Sequence, residues 1–160
     1  MAVTMQQVLA ELDKDEPDYT VLAALGPDAL PHLQQIVDAD DPLRAAKAAY
    51  AASLVTGPGS LDVLRTAAAH RDPQVRVAAA HALGNLAGLA PETLGAAEAA
   101  PSDLLGQLLE DGDPGVRKVA LRSAGTLGDA GLRDKVAAIA SDDPHEFLRS
   151  AAATTAQTLG

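Results

Sequence analysis

A helical phrase returns four times along this chain, each copy anchored on an arginine: Arg44, Arg76, Arg117 and Arg149. Residues 72–86 read DPQVRVAAAHALGNL, 113–127 read DPGVRKVALRSAGTL and 40–54 read DDPLRAAKAAYAASL, with arginines 32, 41 and 32 residues apart. Self-similarity at a period of roughly 20 to 50 residues marks stacked supersecondary units, each too small to bury its apolar face alone. A length of 160 residues then allows about four to five two-helix units in one continuous stack.

The residues are 48% hydrophobic but only 2% aromatic, and alanine supplies much of the apolar total. Small side chains let helices approach closely, alanine is the best helix former, and the strand-favouring aromatics are nearly absent, so an all-helical chain is expected. Within each unit, a first helix and a short acidic turn lead to a second helix that opens at an Asp-Pro pair. The aspartate caps free amides and the proline suits the first turn. In the second helix, Val75, Ala78, Ala79, Ala82, Leu83 and Leu86 recur at the spacing of one buried face. The first helices carry bulkier residues at the same period, such as Leu30, Leu33, Ile36 and Val37.

The helix pairs are predicted at about 27–56, 59–87, 102–127 and 129–159. A weaker pair at 3–26 has Asp18 where the others have arginine and reads as a terminal cap. All five form a single domain over 1–160. The extra residues between Arg76 and Arg117 fall in an insert at 88–101, GLAPETLGAAEAAP, punctuated by glycine and proline. At the far end, two extra residues are expected between Asp143-Pro144 and Leu148-Arg149.

The phrase DPxVRxxAxxALGxL resembles the HEAT repeat, specifically the short bacterial HEAT-like form first described in phycobilisome lyases. The resemblance covers 27–159 well and 3–26 weakly. It implies an all-α fold, a right-handed alpha-alpha superhelix (HEAT-like solenoid) of about five helix pairs, with the second helices lining the concave surface. It also implies a structural ladder in which turn aspartates meet helix arginines between repeats: Asp72 with Arg76 and Asp113 with Arg117. Asp40 or Asp41 would serve Arg44, and Asp143 stands out of register near Arg149. A guanidinium suits that work, since it bonds carboxylates and carbonyls while its stem packs between repeats.

The net charge of −10 repels nucleic-acid phosphate and anionic membranes unless a basic face is segregated. With no cysteine and no basic n-region before an apolar stretch, the expected location is cytoplasmic. No phosphate loop, nucleophile elbow or HExxH pair is present, and His32, His70, His81 and His145 are scattered. A non-enzyme without metal or cofactor is expected.

If the arginine fixes the register, three stripes cross the second helices: Ala45, Val77, Lys118 and Ser150; Ala49, His81, Arg122 and Thr154; Ser53, Asn85, Thr126 and Thr158. His81, Asn85, Lys118, Arg122 and Thr126 are the candidate partner-binding residues, with the basic ones on a single helix. The expected function is a protein-protein interaction scaffold or adaptor using the concave surface. Two alternatives are an auxiliary or chaperone-like subunit resembling bilin lyase HEAT proteins, and a structural or designed repeat module without its own ligand.

Overall fold

A computed structural model describes residues 2–89, Thr93 and 101–159. Among these, ten α-helices follow in order: α1 (Met5–Leu12), α2 (Tyr19–Ala24), α3 (Leu30–Asp38), α4 (Pro42–Val55), α5 (Ser60–Ala68), α6 (Pro73–Asn85), α7 (Pro101–Leu108), α8 (Pro114–Leu127), α9 (Arg133–Asp142) and α10 (Glu146–Thr158). Consecutive helices pack as five antiparallel pairs, and each pair packs on the next, as a HEAT-like solenoid requires. Of the insert 88–101, residues 90–92 and 94–100 lie outside the described residues.

The helix starts follow from the sequence. Asp18, Asp41, Asp72 and Asp113 each cap a second helix by accepting from amides two or three residues on. Pro42, Pro73 and Pro114 occupy the first helical position, where the missing N–H costs nothing. α10 departs from this pattern: its cap position is His145, and Asp143 Oδ1 accepts the His145 amide at 3.0 Å.

The core divides by helix type. First helices bury leucine and β-branched residues, including Leu33, Leu64, Leu105 and Val136, whereas α4 buries five alanines. In α6, Val75, Ala79, Ala82, Leu83 and Leu86 are buried as the periodicity predicts; Ala80 joins them and Ala78 is half-buried. The small residues bring the second helices against one another more extensively than the first helices. The second helices form the more extensively packed layer of the stack.

Gly84 shows how tight that layer is. A Cβ built on it meets Ser123 Oγ at 2.7 Å and the Ser123 Cβ and Cα at 3.1 and 3.3 Å. Ser123 Oγ in turn donates to the Ala80 carbonyl at 2.7 Å, tying α8 to α6, and Thr155 repeats the bond one unit on, to the Leu121 carbonyl at 3.4 Å. The Leu-Gly of the repeat phrase is thus a contact between neighbouring second helices, not a helix stop. Gly84→Ala is expected to lower stability by about 1–3 kcal/mol in urea melts through overpacking. Adding Ser123→Ala recovers only part of the loss, because the Cβ and backbone of residue 123 still crowd the new methyl.

Candidate functional site

Three of the four repeated arginines share one arrangement. Arg76 forks onto Asp111, with Nε to Oδ2 at 2.8 Å and Nη2 to Oδ1 at 3.1 Å, while Nη1 donates to the carbonyls of His70 and Arg71. Arg117 forks onto Asp143 at 2.8 and 3.2 Å and donates from Nη1 to the Asp111 carbonyl. Arg149 keeps the carbonyl bond, to Asp143 O at 2.6 Å. Each arginine therefore anchors to its own turn, and the first two reach the carboxylate of the next one.

This corrects the expected pairing in two ways. Asp72 and Asp113 cap their own helices, and the partners are Asp111 and Asp143, each two residues before a cap. Asp40 pairs with Arg71 across two exposed turns. At the far end no residues are extra: His145 holds the cap position of Asp113, Asp143 that of Asp111, and Arg149 stands four after its cap like Arg117.

Arg44 is the exception, standing three residues after its cap, Asp41. Ala45 fills the place of Arg76, is fully buried, and leaves Arg44 to turn back to Asp13 in the first pair at 2.7 and 2.8 Å, while the expected Asp41 also lies 3.7 Å from its Nε. The side chains of Arg44 and Asp13 are 45% and 41% exposed, against 11% and 4% for Arg117 and Asp143. Of these two ion pairs, Arg117–Asp143 is the one shielded from solvent.

Burial alone pushes the Asp143 carboxyl up. The Arg117 guanidinium and the His145 amide, which bond it, outweigh that and hold it below the usual carboxylate range.

The exposed side of the second helices carries the other candidates. Because the caps set the register, the α4 members of the three stripes are Ala46, Tyr50 and Leu54, and the expected Ala45, Ala49 and Ser53 are buried. The middle stripe gains an aromatic run. Tyr19 meets Tyr50 edge-on with centroids 4.7 Å apart, and Tyr50 meets His81 likewise at 5.4 Å. Arg122 and then Thr154 hold the same place on α8 and α10, and Lys118 lies one turn before Arg122.

His81, Lys118 and Arg122 are exposed, and among the described residues neither cation makes an ion pair. Asn85 is exposed but tied to Ser53 Oγ at 3.0 Å, and Thr126 donates to the Arg122 carbonyl of its own helix. Tyr50 had a signal in the sequence: Tyr50 and His81 are 31 residues apart, the same interval that separates Asp41 from Asp72, whereas Tyr19 stands one residue after its own cap, Asp18, and meets Tyr50 from outside that register. Counting from arginines hides it.

No group of three or more His, Asp or Glu able to hold a metal occurs among the described residues, and no helix there is long and apolar enough to cross a membrane. An open cleft of about 400 Å³ beside Arg117 and Asp143 is lined by Glu110, Asp134, Lys135 and Asp142 among others. Glu110 pairs with Lys135 there at 3.3 Å.

The family model for HEAT repeats matches residues 90–157. That segment is similar to HEAT repeats. A chain in the solved complex of CpcE and CpcF of phycocyanin lyase from Nostoc sp. PCC7120 superposes with a TM-score of 0.74 over 94% of this chain and 96% of that one, at 23% identity. At that identity the likeness is one of fold. No curated protein matches the chain. The matched HEAT segment contains both shielded arginine forks except for Arg76, and the earlier repeats hold the aromatic run.

Removing the Arg117 side chain strands a buried carboxylate, so Arg117→Ala is expected to cost about 3–5 kcal/mol in chemical denaturation. Arg44→Ala, at a solvent-screened pair, should shift the midpoint far less. The depressed Asp143 carboxyl contributes stability that is present above the ordinary carboxylate value of about 3.9 and lost as pH falls through its lower folded value. Melts between pH 7 and 2 should therefore show a shallower acid loss for Asp143→Asn, from a lower starting stability, than for the parent.

Proposed function

We propose that this HEAT-repeat protein is a non-catalytic, cytoplasmic scaffold that holds a protein partner on the inner face of α4, α6, α8 and α10. The observation that carries the reading is the middle stripe, where Tyr50, His81 and Arg122 stand in line: the two rings pack edge to edge, and among the described residues the exposed His81 and Arg122 side chains make no hydrogen bond or ion pair. The arginines of the turns, by contrast, are held by carboxylates and carbonyls. A repeat stack supplies length rather than a deep pocket, which suits a macromolecular ligand.

The second reading, an auxiliary or chaperone-like subunit beside a modifying enzyme, is favoured by one observation, the fold shared with a chain in a complex of two lyase subunits. It places the same face against a bilin-bearing protein. A third reading, a structural module without a ligand, leaves the stripe unexplained.

A photo-crosslinking residue placed in turn at His81, Arg122, Asp62 and Gln107 tests the face. Discrete protein adducts from the first two positions, and none from the two on first helices, are expected in cell extract. Equal labelling from both sides of the stack contradicts the proposal. A change in the absorbance of free bilin on titration with the purified chain would instead favour the auxiliary reading.

A further inference from the structure

Charge is segregated in this molecule more sharply than its net value suggests. The chain has 22 acidic residues, yet α2, α4, α6 and α8 contain none and α10 contains only Glu146. Among the described residues, the other acids lie in the turns and first helices. Seven of the 12 lysines and arginines lie in second helices: Arg44, Lys47, Arg76, Arg117, Lys118, Arg122 and Arg149. Five of these are committed to carboxylates or carbonyls. Lys118 and Arg122, four residues apart on the exposed side of α8, have no such partner among the described residues.

We infer that the line Tyr19, Tyr50, His81 and Arg122 is a track for an extended acidic peptide segment of the partner. This rests on the reading of the inner face given above. The segment crosses the second helices, sets carboxylates against Lys118 and Arg122, and lays apolar or aromatic side chains along His81, Tyr50 and Tyr19.

Dimensions support an extended occupant. Four packed helices at about 8–10 Å between axes span about 24–30 Å, which an extended chain rising about 3.3 Å per residue covers in eight or nine residues. An amphipathic helix requires an apolar groove. The large apolar side chains that are well exposed, Val21, Leu43, Leu89 and Phe147, are not members of the line. What the line offers is ring edges, an imidazole and two cations, which suit stacking and charge-assisted bonds.

Charge also separates a peptide from a nucleic acid. A polyanion with a charge on every residue meets the field of a chain whose net charge is −10 and is repelled. A peptide can place carboxylates at α8 alone.

The test is fluorescence polarisation of the full chain with three labelled probes: a decapeptide of alternating glutamate and phenylalanine, its lysine counterpart, and a ten-nucleotide oligothymidylate. The glutamate peptide is expected to bind best, with affinity falling as salt rises. The Lys118→Glu/Arg122→Glu double variant should weaken it by about tenfold or more. His81→Ala should weaken it less, and Arg133→Glu, an exposed cation on a first helix, should leave it unchanged. All three sites are exposed, so the variants are expected to fold, which circular dichroism checks. Equal binding of the two peptides, tighter binding of the oligonucleotide, or unchanged binding by the double variant overturns the inference. If those results come with crosslinks persisting at residues 81 and 122, the inner face binds a protein of other chemistry; if the crosslinks vanish too, the scaffold reading falls with it.

Discussion

The close approach of successive second helices governs the rest of the structure. Glycine at 84 leaves so little side chain between α6 and α8 that the Ser123 hydroxyl reaches the Ala80 carbonyl, and buried alanine at 45, 48, 49, 51 and 52 keeps α4 comparably slim. Nothing long fits in that seam. Long side chains are driven to its two borders, the arginines toward the turns and the Tyr50, His81 and Arg122 line toward the open face. Structural and candidate binding residues thus occupy opposite sides of one packing interface.

The turn border behaves differently in the two halves of the chain. Asp111 and Asp143 each do two jobs, accepting the amide of the following cap residue and the guanidinium of the preceding repeat. In the third pair His70 does only the first: its Nδ1 accepts the Asp72 amide at 3.0 Å. A ring nitrogen already occupied by an amide offers no two-oxygen fork. With no carboxylate ahead of it and Ala45 in the ladder position, Arg44 binds backward to Asp13. The shielded forks consequently bind the third, fourth and fifth pairs, and an exposed pair binds the first to the second.

The fold was legible because its determinants are local: Asp-Pro caps, the 3.6-residue apolar period and the alanine content can all be read without a neighbour. The ladder was half legible. Arginine type and position pointed to a bond between repeats, but its acceptors come from a turn some thirty residues on, and the nearest aspartates in sequence were already occupied as caps. The α4 stripe was misread because Arg44 stands one residue early relative to its cap, and one residue on a helix is about 100° of rotation. That error removed Tyr50 from the face and substituted Ala49. Because α8 keeps arginine and cap in step, Lys118 and Arg122 fall on the exposed side of their helix, where the spacing puts them.

The account's central claim is that caps, and not arginines, set the register of the second helices and so decide which side chains share the open face. Nuclear Overhauser contacts from the His81 ring test this directly. The account predicts strong contacts from His81 to the ring protons of Tyr50, and from Tyr50 to those of Tyr19, in keeping with centroid separations of 5.4 and 4.7 Å. Absence of both, together with contacts from His81 to the Ala49 methyl, would restore the arginine register and contradict it.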